Sequence, residues 1–109
     1  MTRLLTDPKP GTGRRTVLAF DEAGTLVLVD GKPCRLTTQE YRLLLALAQN
    51  AGTTLSRDRL LFVAWDYQSP GKSRTVDVHV QRLRRKLGDT LLETVHGIGY
   101  RLRAVQLSA

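Results

Sequence analysis

What the sequence lacks sets the first limits. It holds one cysteine, Cys34, so no internal disulfide can form. That suits a reducing compartment, and the cytoplasm is the expected location. Nothing near Cys34 would activate its thiol, so it is expected to serve as a small packing residue. One Trp, three Tyr and two Phe are all the aromatics, which makes the core largely aliphatic. They also leave few rings to stack unpaired bases, as sequence-specific RNA recognition would need. The longest apolar run, Leu43 to Ala48, falls far short of the ~20 residues that cross a bilayer, so no membrane partner is expected. His79 and His96 lack Cys, His or carboxylate partners at ligand spacing, which argues against a metal site, and no cofactor is expected. No nucleophile elbow or paired-carboxylate motif is present, so an enzyme is not expected.

Acidic residues are also short in number. Asp plus Glu total 10 against 17 Lys plus Arg, for a net charge of +7 and a pI near 10.3. Such a balance favours a polyanionic partner, nucleic acid first and an acidic membrane surface second. The 109 residues, 41% of them hydrophobic, are enough for one folded domain and too few for two. Residues 1–16, with Pro8, Pro10, Gly11 and Gly13 and no apolar block, read as a flexible leader or linker stub rather than a signal peptide. The folded domain is expected over 17–105.

Along that domain the pattern runs from strands to helices and back to strands. Val17 to Phe20 and Leu26 to Val29 are short apolar runs. Asp30-Gly31 is a hairpin-turn dipeptide, and Lys32 to Leu36 is a return strand weakened by Pro33. Thr37-Thr38-Gln39-Glu40 has capping-box form. Tyr41, Leu44, Leu45 and Ala48 follow at helical spacing as a buried face, and Gly52 closes the segment in a left-handed conformation. Thr53 to Leu55 is a short link. Ser56 caps a second helix that buries Leu60, Leu61 and Ala64. Ser69-Pro70-Gly71 marks a loop over 66–73. A third helix runs from about Arg74 to Leu87. Strands Leu91 to Val95 and Tyr100 to Arg103 then form a hairpin, with His96 at its tip and Gly97 and Gly99 in its turn.

The third helix concentrates the charge. Lys72, Arg74, Arg82, Arg84, Arg85 and Lys86 lie in or beside it, and Asp77 is the one acid. At about 100° per residue, Val80, Leu83 and Leu87 fall within about 40° of Val76 and form an apolar seam. Arg74, Val78, Gln81, Arg82 and Arg85 fall on the opposite side. Arg suits guanine, Gln suits adenine, and Val suits a thymine methyl in the major groove, while the remaining basic residues suit phosphates. The helix alone leaves this reading level with a solvated charged face. The hairpin favours DNA, since its polar tip with Arg101 and Arg103 could engage an adjacent groove. Asp77 could contact DNA or pair with and orient a neighbouring Arg. Trp65 reads as a packing residue at the edge of the core.

Three stretches and an ending now make a resemblance recognisable. Leu36 to Leu44, Ser56 to Leu61 with Trp65, Ser73 to Leu87, and Thr94-Val95-His96-Gly97-Ile98-Gly99-Tyr100-Arg101 resemble the OmpR/PhoB-type winged-helix domain, the output domain of many two-component response regulators. The match spans about Val17 to Arg103. It implies an α+β fold: a winged helix-turn-helix with an N-terminal four-stranded antiparallel sheet, a three-helix core and a C-terminal β-hairpin wing. It implies sequence-specific binding to double-stranded DNA for transcription regulation, with a protein-interaction winged helix as the alternative. By position, it implies that Arg82 and Val78 read bases in the major groove with Asp77 and Gln81 nearby; the hairpin-tip reading adds His96 to the base-reading set. Arg74, Thr75, His79, Trp65, Thr94 and Tyr100 would contact phosphates or support such contacts, and Arg85 of the outward helix face is expected to join them. The loop over 66–73, with Tyr67, Gln68, Ser69 and Lys72, would be the one that meets RNA polymerase in family members. A second copy would bind head-to-tail on direct-repeat DNA. The family often has Arg where this chain has His96, and no receiver domain is present here.

Overall fold

The computed structural model describes residues 15–65, 74–103 and 105–107. The leader expected over 1–16 therefore lies almost wholly outside the described residues, as does the loop over 66–73. Strands β1 (Thr16–Phe20), β2 (Leu26–Val29) and β3 (Lys32–Arg35) come first. Asp30 and Gly31 have φ of 51° and 86°, the left-handed pair that a two-residue hairpin turn needs. Strand alternation then places Leu18 and Val27 on one face, each with no exposed surface.

The sheet has four strands in the order β3-β2-β1-β7, where β7 is Val105–Leu107. The pairs β1–β2 and β2–β3 are antiparallel, but β7 runs parallel to β1. This corrects the expected all-antiparallel N-terminal sheet. Among the described residues the fourth strand comes from the chain's other end. It caps the unpaired edge of β1, which would otherwise leave a row of N–H and C=O groups open. It also carries the described elements to Leu107, past the expected boundary at 105.

Helix α1 (Thr38–Gln49) begins with the expected capping box, Glu40 N donating to Thr37 Oγ1 at 3.1 Å and Thr37 N to Glu40 Oε1 at 2.9 Å. Its buried residues include Leu43, Leu44, Leu47 and Ala48, whereas Tyr41 and Leu45 are only half-buried. The expected face was too narrow because α1 is covered from two sides. The sheet meets it through Phe20 against Tyr41, ring centroids 5.4 Å apart, and the other helices cover the remainder.

Strand β4 (Leu55–Ser56) leads directly into α2 (Arg57–Trp65), where Ser56 Oγ accepts from Arg59 N at 3.0 Å. Leu60, Leu61 and Ala64 are buried as expected. Helix α3 (Arg74–Leu87) packs on α1 and α2, and β5 (Leu92–Val95) and β6 (Gly99–Leu102) form the wing. Leu55, at the end of the expected link, and Ser56 form β4, which joins the wing as a third strand in the order β4-β6-β5. Gly99 lies in β6, not in the turn. A Cβ there would stand 2.0 Å from Leu55 O, so only glycine admits β4.

Candidate nucleic-acid interface

Helix α3 divides by angle into a seam, an outward face and two flanks. Val76, Val80 and Leu83 are completely buried and Leu87 is half-buried, which makes the seam. Arg74, Val78, Gln81, Arg82 and Arg85 are all exposed on the opposite side. Val78 has 44% of its surface open, a small apolar spot among cations. Three guanidiniums, one amide and one isopropyl group on three turns of helix can pair with base edges and phosphates in a major groove.

The flanks hold the helix in place. On one, at about 260–300° from Val76, stand Thr75, His79 and Lys86. His79 Nδ1 lies 2.9 Å from Thr75 O, and its ring meets Trp65 edge-on with centroids 5.1 Å apart. Lys86 Nζ reaches Glu40 Oε1 at 2.6 Å and Arg35 O at 3.3 Å. Burial would raise the Glu40 carboxyl, but the bonds from Lys86 and Thr37 prevail and hold it below the ordinary carboxylate range. Lys86 is thus engaged in a structural ion pair, where its place on the helix had suggested a phosphate contact.

On the other flank, at about 80–100°, stand Asp77 and Arg84. Asp77 Oδ1 accepts from Arg57 Nε at 2.7 Å and from Tyr100 OH at 2.6 Å. Burial pushes the Asp77 carboxyl up, and these two bonds outweigh it and bring it below its usual value. Burial and the bond to Asp77 push the Tyr100 phenol up. Arg84 donates through Nη2 to Leu92 O at 3.0 Å and to Thr94 Oγ1 at 2.8 Å. Asp77 pairs with an arginine, Arg57 of α2, which is one of the two roles expected of it, and the same oxygen accepts from Tyr100 of the wing. Tyr100 is 5% exposed and its hydroxyl donates to Asp77, which fits the supporting role expected of it as the alternative to a phosphate contact.

At the wing tip Gly97 turns with φ of 78°, Ile98 N donates to Val95 O at 3.0 Å, and His96 is exposed. Ile98 is 57% exposed beside it, an apolar tip that charge-based reading passed over. Arg101 is half-buried and pairs with Glu93 across the hairpin at 2.8 Å, while Arg103 remains exposed. Thr94 is half-buried under Arg84. Tyr67, Gln68, Ser69 and Lys72, expected in the loop that meets RNA polymerase, lie outside the described residues. Arg57 and Arg84 were missed as structural groups. The seven-residue spacing of Asp77 and Arg84, two turns on one flank, is the signal that could have marked a pinned edge.

Three helices with a cationic third helix beside a short hairpin define a winged helix-turn-helix domain. The protein family described as "Transcriptional regulatory protein, C terminal" matches residues 31–102. The transcriptional regulatory protein CseB of Streptomyces coelicolor is 52% identical over 87 residues, which cover 80% of this chain and 37% of CseB. The regulatory protein VanRB of Enterococcus faecalis is 41% identical over 90 residues, 83% of this chain and 40% of VanRB. The RstA DNA-binding domain of Klebsiella pneumoniae, solved in complex with the RstA box, superposes with a TM-score of 0.67 at 32% identity, covering 77% of this chain and 88% of that one. The chain belongs to this family, the C-terminal DNA-binding domains of OmpR/PhoB-type transcriptional regulators. It spans well under half the length of CseB and VanRB. Among the described residues no helix is long and apolar enough to cross a membrane.

Proposed function

We propose that this domain binds double-stranded DNA sequence-specifically, in the cytoplasm, as the output domain of a two-component response regulator. Helix α3 enters the major groove and the wing approaches the neighbouring minor groove. Val78, Gln81 and Arg82 read bases, with His96 at the wing tip. Arg74 and Arg85 meet phosphates at the rim of the groove, with Thr75, His79, Trp65 and Thr94 placed to assist. The observation that carries this reading is the exposed face of α3, five side chains of the types that read grooves, with none of its arginines in an ion pair among the described residues. The DNA complex of RstA supports the docking by likeness. Two copies bind head-to-tail on direct repeats, and the loop over 66–73 meets RNA polymerase.

Selection from random duplex DNA, with sequencing of the bound pool, tests the reading. A repeated motif should emerge. Affinity for it should fall with salt at a log–log slope near −4 to −5 if about five phosphates are neutralised. A bound pool without sequence preference, or a flat salt response, would instead favour a protein-interaction winged helix.

A further inference from the structure

Tyr100 of β6 sits between two arginines and above an aspartate. Its ring centroid is 5.4 Å from the Arg57 guanidinium and 5.8 Å from that of Arg84, and its hydroxyl donates to Asp77. Arg84 meanwhile takes the main chain of Leu92 and the hydroxyl of Thr94, both on β5. The same edge of α3 therefore holds both strands of the hairpin, Asp77 gripping one and Arg84 the other, two helical turns apart. Arg57 ties Asp77 to α2 as well.

Apolar burial of Leu92, Tyr100 and Leu102 keeps the wing against the core but is non-directional, and the β4–β6 pairing fixes β6 to the start of α2 without bonding either hairpin strand to α3. Hydrogen bonds with fixed donors and acceptors are directional and select one orientation. The covalent link from α3 to β5 is only the short run from Gly88 to Leu91, and Gly88 takes φ of 93°. We propose that Asp77 is a positioning residue that, together with Arg84, locks the wing to the recognition helix at one orientation, so that the offset between helix and wing contacts is set before DNA arrives. Asp77 then reads no base. The lock serves specificity through geometry: flanking sequence is read only where the groove brings it to a wing already held in place.

This inference rests on the DNA-binding reading for its purpose, and its test includes a measurement that does not. Tyr100→Phe keeps the ring and its burial and removes only the O–H. Asp77→Asn keeps an acceptor for both donors. Residual dipolar couplings on the free chain report the wing's orientation relative to α3, and selection from random duplex DNA reports preference beneath helix and wing separately. Tyr100→Phe should leave α3 couplings unchanged and partly average those of the wing, since Arg84 still holds β5 and β4 still pairs β6. It should keep the base preference beneath α3 while blurring the flank beneath the wing, with affinity for the best site down about five- to tenfold, the scale of one hydrogen bond. Asp77→Asn should stay close to wild type on both readouts. A changed base preference in Asp77→Asn would show that Asp77 reads DNA and would overturn the proposal. So would a Tyr100→Phe chain with unaveraged wing couplings and intact flank preference. If the wild-type chain selects no sequence, the DNA-binding reading fails, and the couplings alone decide whether the lock exists.

Discussion

Lys86→Met tests whether the cations of α3 divide into structural and DNA-facing groups. Glu40 is almost fully enclosed, its side chain 3% exposed, whereas Lys86 is 36% exposed. Removing one partner of a fully buried pair costs about 3–5 kcal/mol. Half-open access for Lys86 and the surviving bond from Thr37 N reduce that to about 2 kcal/mol. For a domain of this size the melting temperature should fall by roughly 8–16 °C at neutral pH. The pH dependence has a definite sign. The folded-state pKa of Glu40 is lowered, so its contribution is complete above the unfolded value of ~4.3 and is lost as pH falls through the folded value. In Lys86→Met that lowering is removed, so the gap between the two melting curves is widest near neutrality and closes in acid. Thermal melts from pH 7 down to 3 supply the test. DNA titrations supply a second arm: Lys86→Met should keep the wild-type salt slope, whereas Arg85→Ala should reduce it by about 1. A stable Lys86→Met chain with a shallower salt slope would refute the division and return Lys86 to the phosphate contacts.

Leu83→Ala should cost about 2–5 kcal/mol and Val78→Ala less than about 0.5, as one lies in the seam and the other in the open; denaturant melts that reverse the order would mean the helix is turned the other way. Arg82→Ala should lose about 1–3 kcal/mol on the preferred site and relax one or two base positions, while Arg74→Ala should weaken every sequence alike, and a site library showing one profile for both would remove the distinction between reading and positioning. Gly99→Ala should cost roughly 1–3 kcal/mol or more, because the new methyl meets the main chain of β4, and a melt matching wild type would mean that β4 is not paired there. His96→Arg should tighten binding on sites with A·T-rich flanks, where the narrow minor groove favours a permanent cation; unchanged affinity on every flank would place the wing tip outside the groove.

Local chemistry was enough to locate most of the elements. Asp30-Gly31 demands its turn, Thr37 with Glu40 demands a helix start, and the 3.6-residue repeat from Val76 to Leu87 sets which side of α3 is buried. Each depends on neighbours within a few residues, so periodicity and turn chemistry carry it. The outward set of Arg74, Val78, Gln81, Arg82 and Arg85 was legible for the same reason, since it is the complement of the seam. What the chain could not state locally is which charges are already spent. Arg84, Lys86 and Asp77 look in sequence like three more groups on a charged helix. Their partners, Thr94 and Leu92, Glu40, and Arg57 with Tyr100, lie 8 to 46 positions away. The parallel strand β7 and the close approach of β4 to Gly99 likewise depend on segments that meet only after folding. Burial and pairing across such distances are properties of the packed chain, so tertiary structure alone decided which polar groups hold the domain together and which remain free to meet DNA.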